Sequence, residues 1–254
     1  MLLELQVWTG LSPVILIYAL LAILVAAIIR GYSGFGFSAL AVTSLSLILP
    51  PSEVVPTAFL LEVAASIYML PLVWRSIDWK MLNWLVLGIL AGTPAGLFFL
   101  AEVPQDPMRF TISGLVLVAC VFIWKDFRIR GEGGWRRFLT VGCFSGLVNG
   151  AAGIGGLPVV LFLLASSIGA DVIRASIVAF LFFSGIYATI ISANQNLLSS
   201  ELLVRSALFL IPLAVGVSLG NRRFVKSTPE SFRKFSICLL ILLSLAVILR
   251  GVLF

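Results

Sequence analysis

Arg30-Gly31-Tyr32-Ser33-Gly34-Phe35-Gly36-Phe37 and Asn149-Gly150-Ala151-Ala152-Gly153-Ile154-Gly155-Gly156-Leu157-Pro158 are the two stretches on which the fold turns. Both interrupt apolar sequence, and glycine at this density breaks a helix. A helix break inside a membrane is tolerated only where protein or a water-filled cavity covers the backbone. The two stretches also align, since Gly31, Gly34 and Gly36 match Gly150, Gly153 and Gly155 at a constant offset of 119. The offset carries forward to pair Ser66-Ile67-Tyr68 with Gly185-Ile186-Tyr187. It then shifts to 124, pairing Gly92 with Gly216, Gly96 with Gly220 and Arg109 with Arg233. The chain therefore reads as a tandem duplication.

Around these stretches the sequence is apolar almost throughout. Of 254 residues, 61% are hydrophobic and 11% charged, against about 25% charged in a soluble domain. The mean hydropathy of +1.15 makes lipid the main solvent. Six segments have about the length that spans a bilayer: 54–74, 81–101, 108–124, 172–193, 202–219 and 235–254. Four shorter ones, 14–29, 38–49, 138–148 and 157–168, flank the glycine-rich stretches in pairs. The fold class expected is an all-α integral membrane protein of two repeats, each a broken, re-entrant hairpin followed by three transmembrane helices. The first repeat covers 1–126, with hairpin 14–49 and helices 54–74, 81–101 and 108–124. A cytoplasmic linker covers 127–132. The second repeat covers 133–254, with hairpin 138–168 and helices 172–193, 202–219 and 235–254.

Basic residues select the orientation. If each broken segment crossed the membrane once, the loops on the two sides would hold nine and seven Lys or Arg. If each enters and returns, one side collects Arg75, Lys80, the five of 125–137, Arg174 and the five of 222–234. That makes thirteen against three, a strong positive-inside bias. The repeats are thus expected to be inverted, with both termini outside and the 125–137 and 222–234 loops cytoplasmic. The N-terminal MLLELQVWTGLSPV lacks a basic n-region and reads as mature sequence.

Inverted repeats with broken helices near the midplane are the build of secondary transporters. A helix that starts inside the bilayer presents unpaired amide N–H groups and a partial positive charge, which an anion satisfies. Glycine lets the backbone approach such a ligand, and Pro158 suits a first helical turn. Return helices beginning near Phe37 and Leu157 would aim two N-termini at one anion. Arg30, a charge reached after a long uncharged run, is costly at that depth and fits an oxyanion. Its repeat counterpart is Asn149. The expected substrate-binding set is Arg30, Gly31, Ser33, Gly34, Gly36, Asn149, Gly150, Gly153, Gly155 and Gly156. Against it stand a snorkelling or helix-capping Arg30 and glycines that serve close helix packing. Glu62 is either a proton-coupling carboxylate or a fixed partner of Arg30. Tyr68 and Tyr187 are candidates to line the cavity, or else pack in the core or at the interface.

Several classes drop out. Histidine is absent, and with it the H-E-x-x-H metalloprotease motif; no P-loop is present. Ser33 near a glycine turn has no evident base, so no enzyme, metal or cofactor is expected. The three cysteines have neither disulfide nor metal-ligand spacing. The net charge of +6 lies in short loops, as topology control requires, and implies no nucleic-acid partner. The expected partners are a small anion, the bilayer, and protons or another coupling ion; the oligomeric state stays open, a homodimer being one option. An anion channel, or a carrier of another small anion such as a carboxylate, remains the alternative.

Two hydrophobic halves carrying Gly31-Tyr32-Ser33-Gly34-Phe35-Gly36 and Gly150-Ala151-Ala152-Gly153-Ile154-Gly155-Gly156-Leu157-Pro158 resemble the TauE/SafE sulfite exporter family. The resemblance covers essentially the whole chain, and the second stretch is its more specific part. It implies a multi-pass protein of the plasma (inner) membrane that exports sulfite or a small organosulfonate. Alternating access around the paired hairpins is the mechanism expected with it.

Overall fold

A computed structural model describes residues 9–102, 134–164 and 168–224, with a few isolated positions besides. The expected helices 108–124 and 235–254 and the linker 127–132 lie outside the described residues. All regular structure among the described residues is helical: α1 (Pro13–Ser33), α2 (Phe37–Leu45), α3 (Pro51–Val73), α4 (Trp79–Glu102), α5 (Trp135–Ala152), α6 (Gly156–Leu164), α7 (Ala170–Asn194) and α8 (Ser200–Phe224). Five are long and apolar enough to cross a membrane: α1, α3 with its short 3-10 extension to Ser76, α4, α7 and α8. Local sequence sets their ends. Ser12 caps α1 through Ile15 N at 3.4 Å, with Pro13 opening the helix. Gly34 closes it in the left-handed region at φ +81°.

Both long arms overrun the expected breaks. Segment 14–29 was expected to stop before Arg30, and segment 138–148 before Asn149; α1 instead continues to Ser33 and α5 to Ala152. The first glycine of each stretch is a contact point. A Cβ on Gly31 would lie 2.2 Å from the Val217 carbonyl oxygen of α8, and one on Gly150 2.4 Å from that of Thr93 on α4. Close packing offsets the helix penalty of glycine, about 1 kcal/mol. The backbone departs from the helix only at Gly34–Gly36 and Gly153–Gly155, where Gly34, Gly36 and Gly153 take φ of +81°, +89° and +69°. The helices also reach into the expected loops, so Arg136 and Arg137 stand in the first turn of α5 and Arg222 and Arg223 in the last of α8.

After each break the chain doubles back. The Tyr18 hydroxyl donates to the Ser44 carbonyl at 3.2 Å, and the Phe138 and Phe162 rings lie 5.6 Å apart. A continuing helix would hold residues at these separations about 36–39 Å apart.

Glycines then set the bundle. Gly88, Gly92 and Gly96 of α4 meet Leu139, Cys143 and Leu147 of α5 backbone to backbone, while Gly142, Gly146 and Gly150 answer against Leu85, Ile89 and Thr93. Contacts advance in step along both chains, so α4 and α5 run parallel. Helices α1 and α8 pair likewise, Gly216 on Ala27 and Gly220 on Ile28. Such small-residue seams drive association in lipid, where tails are as apolar as leucine. Helices α3 and α7 run antiparallel: Gly185 meets Val63, while the Ser176 hydroxyl accepts from Asp78 N at 3.2 Å at the end of α3. At the opposite end of the bundle Arg205 of α8 pairs with Glu53 of α3 and donates to the Thr9 carbonyl.

Candidate functional site

Arg30 lies in the last turn of α1 and is 0% exposed. Its guanidinium forks inward. Nη2 pairs with Glu62 Oε1 of α3 at 2.9 Å and donates to the Ser66 hydroxyl at 2.9 Å. Nη1 donates to the Gly34 carbonyl across the break. A snorkelling role is thereby ruled out; the capping role is real, and the ion pair accompanies it. Glu62 is 3% exposed, and its Oε2 accepts from the Ser38 hydroxyl in the first turn of α2. One buried charge pair thus joins α1, α2 and α3.

The second break is held by neutral groups at matching positions. Gly34 N donates to the Arg30 carbonyl at 2.9 Å, and Gly153 N to that of Asn149 at 2.7 Å. Asn149 Oδ1 then accepts from Gly155 N at 3.3 Å, while the Ser145 hydroxyl donates to the Gly155 carbonyl. Two buried donors at the aligned positions, Arg30 Nε and Asn149 Nδ2, have no hydrogen-bond partner. Other buried side-chain atoms share this state, Thr43 Oγ1 and Thr93 Oγ1 among them; what sets these two apart is their aligned place at the breaks, where each can meet a water or ligand.

Between the breaks lies a small cavity lined by Gly36, Ser38 and Ala39 of the first, Ile154, Gly156 and Leu157 of the second, Glu62 of α3 and Leu181 of α7. The first turns of α2 and α6 therefore share one space. Its free volume of about 10 Å³ is roughly that of one water and too small for an oxyanion of four heavy atoms. Arg30 and Asn149 stand one residue behind the wall, Arg30 screened by Glu62 and Asn149 bonded to the Gly155 amide.

The remaining candidates divide. Gly36 and Gly156 line the cavity. Gly34, Gly153 and Gly155 shape the turns; a Cβ on Gly155 would lie 2.3 Å from that of Asn149. Gly31 and Gly150 lie in helix seams. Ser33 bridges the first break, its one hydroxyl proton within reach of the Ile29 and Phe35 carbonyls at 2.8 and 2.6 Å. Tyr68 and Tyr187 do not line this cavity: Tyr68 is 48% exposed on the outer surface, and the Tyr187 hydroxyl donates to the Leu90 carbonyl of α4 at 3.1 Å. Their helices face the bundle with other residues. Among the described residues no cluster of metal-ligating side chains occurs.

Three side chains enter that the sequence reading passed over. Ser66 stands one helical turn after Glu62, a spacing that puts both on one face. Ser38 is the one polar residue in the opening turn of α2. Arg174 of α7 grips the first tip from outside, with Nη2 3.3 Å from the Gly31 carbonyl and 3.4 Å from Asn221 Oδ1. It sits at the carbonyl end of α1, where a cation complements the helix dipole.

Residues 19–247 match the model of a family described as sulfite exporter TauE/SafE. Over 197 residues, 75% of this chain and 76% of the relative, the sequence is 25% identical to a Cupriavidus necator protein named probable sulfite/organosulfonate exporter TauE. No solved structure matches the chain at a significant level. The family match takes in both chain breaks, the Arg30–Glu62 pair and the helices that carry them, and on it this multi-pass membrane chain belongs to the TauE/SafE family of sulfite exporters.

Proposed function

We propose that the protein is a secondary transporter that exports a small sulfur oxyanion, sulfite or an organosulfonate, by alternating access around the two chain breaks. The observation that carries this reading is the cavity that the first turns of α2 and α6 share, with a buried arginine behind its wall. Two helix N-termini supply amide donors and partial positive charge. Arg30 supplies a fork that suits a tetrahedral or pyramidal oxyanion. The relative's printed name supports sulfur as the central atom. With room for about one water, the cavity must widen to admit cargo.

The repeats are inverted in this reading. Support comes from the antiparallel course of α3 and α7, which are equivalent in the two halves. The seams support it too: α1 pairs with α8 and α5 with α4, so each half lends its hairpin arm to the other half. Rocking of one half on the other then opens the shared cavity to alternate sides. Both termini lie outside in this arrangement, with the basic loops in the cytoplasm.

A thermal-shift panel on the purified protein tests the assignment. Sulfite and isethionate should stabilise it, by about 2.7 kcal/mol at a hundredfold excess over Kd, with acetate, phosphate and sulfate inert. Stabilisation by acetate alone would move the cargo to the carboxylates. A flat response to every anion would reject the site.

A further inference from the structure

Glu62 poses a problem for any anion carrier: its carboxylate lines the cavity in which a second negative charge would have to sit. It also holds the Nη2 end of Arg30. Two anions sharing one buried guanidinium repel, and such a site ionises only one of them. We propose that the cargo and the Glu62 carboxylate are alternative partners of Arg30, so that each monovalent anion bound brings one proton onto Glu62. This rests on the transporter reading above and specifies its coupling.

The hydrogen bonds around Glu62 suit both protonation states. Ser38 now donates to Oε2. A hydroxyl both donates and accepts, so on protonation its rotor turns and Ser38 accepts the carboxylic O–H. Arg30, released from Glu62, keeps Ser66 and the Gly34 carbonyl, which hold the fork in place. It then offers the cargo the freed edge of Nη2 together with Nε, which has no partner now. Among the described residues no further charged side chain forms an ion pair with either of the two. On the helices packed around it, Arg174 near the start of α7 lies against Gly34 on the outer side of the break, where Gly31 and Asn221 hold it, and Asp171 stands three residues before it on the same helix. Arg205 and Glu201 of α8 are engaged with each other and with Glu53.

The charge count is the same before and after. Empty, the site holds Arg30 positive and Glu62 negative. Loaded, it holds Arg30 positive, Glu62 neutral and the cargo negative, the proton coming from solvent. The cargo therefore crosses as the equivalent of its neutral acid, and the membrane potential does not act on the step. The proton travels with the anion. An inward proton gradient opposes efflux, and the cargo's own gradient drives it.

Isethionate is the probe of choice, since its sulfonate stays ionised throughout the working range. The full chain, purified in detergent, is titrated with isethionate in cationic buffers free of sulfonate, from about pH 5 to about pH 8. Its Kd should weaken about tenfold per pH unit on the alkaline side. In weakly buffered solution each binding event should remove one proton. Glu62→Gln should bind with a Kd independent of pH and remove none. Should sulfite alone bind, the same proton count is taken with sulfite, corrected for its own ionisation. Binding without proton uptake by the wild-type chain overturns the exchange and leaves the transporter reading intact. Proton uptake that persists in Glu62→Gln also overturns it. Failure of both anions to bind at any pH removes the transporter reading itself. The wild-type slope and proton count decide the matter even if Glu62→Gln does not fold.

Discussion

Arg30 is placed where a single charge is hardest to keep. Removing water from an ion costs several kcal/mol, and the Glu62 carboxylate with two further acceptors, the Ser66 hydroxyl and the Gly34 carbonyl, is what offsets it. Truncating one partner leaves the other charge buried alone. Arg30→Ala should therefore destabilise the chain by about 3–5 kcal/mol, while the double variant Arg30→Met/Glu62→Met, apolar and similar in volume, should recover most of that loss. Unfolding in mixed micelles measures both, and a double variant as unstable as the single one would show that the two charges are not coupled. Loss of binding in Arg30→Ala alone would thus be a poor measure of its contact with cargo. At this scale the sequence was half legible. An arginine after a long uncharged run announces itself, as does a carboxylate eight residues into an apolar helix. Their pairing stood only as one of two readings of Glu62, because Arg30 and Glu62 lie on different helices and no periodicity fixes the register between them. Ser38 and Ser66 went unread for the same reason: a serine in an apolar helix bonds its own carbonyl as readily as a distant partner.

Glycine carries opposite instructions in different elements. At Gly34, Gly36 and Gly153 it permits a left-handed backbone that ends a helix; at Gly31, Gly92, Gly96 and Gly150 it keeps a helix intact by letting another touch it. Composition alone does not separate the two uses, which is why the arms expected to end at 29 and 148 run four residues further, to Ser33 and Ala152. The distinction is measurable. A Cβ on Gly36 would meet nothing nearer than Ile29 Cγ2 at 3.5 Å, so Gly36→Ala should cost only the backbone strain, about 1–2 kcal/mol. A Cβ on Gly96 would fall 2.1 Å from the Leu147 carbonyl oxygen, which no rotamer relieves. Gly96→Ala must push α4 and α5 apart along the seam and should cost more, about 3 kcal/mol. Equal stabilities on chemical unfolding would mean that the seam is slack. The four-residue spacing of Gly88, Gly92 and Gly96 against Gly142, Gly146 and Gly150 is a close-packing pattern that went unread in the sequence; which helix each meets is not set by that spacing, since the partner lies in the other half of the chain.

In the whole molecule, the direction of each helix follows from contacts at the two ends of the bundle. Thr9, Glu53 and Arg205 meet at one end, placing the starts of α1, α3 and α8 together. Asp78 and Ser176 meet at the other, placing the end of α3 beside the start of α7. The connection 74–79 and the connection 195–199 therefore lie at opposite ends. Which end faces the cytoplasm is a question of charge, and here sequence speaks louder than structure. The end with Arg75 and Lys80 gathers thirteen of the loop cations in the inverted arrangement, the other end three, and translocation of short basic loops is disfavoured. Ser76 and Ser199 are both exposed and report the two ends. In a background with Cys120, Cys143 and Cys238 replaced, Ser199→Cys should react with a membrane-impermeant maleimide on intact cells, and Ser76→Cys only after lysis. The opposite pattern would reverse the orientation and leave the fold untouched. Labelling of both from outside would be more damaging, because α3 could not then cross the bilayer, and Glu62, midway along it, would lose the depth that makes its pairing with Arg30 necessary.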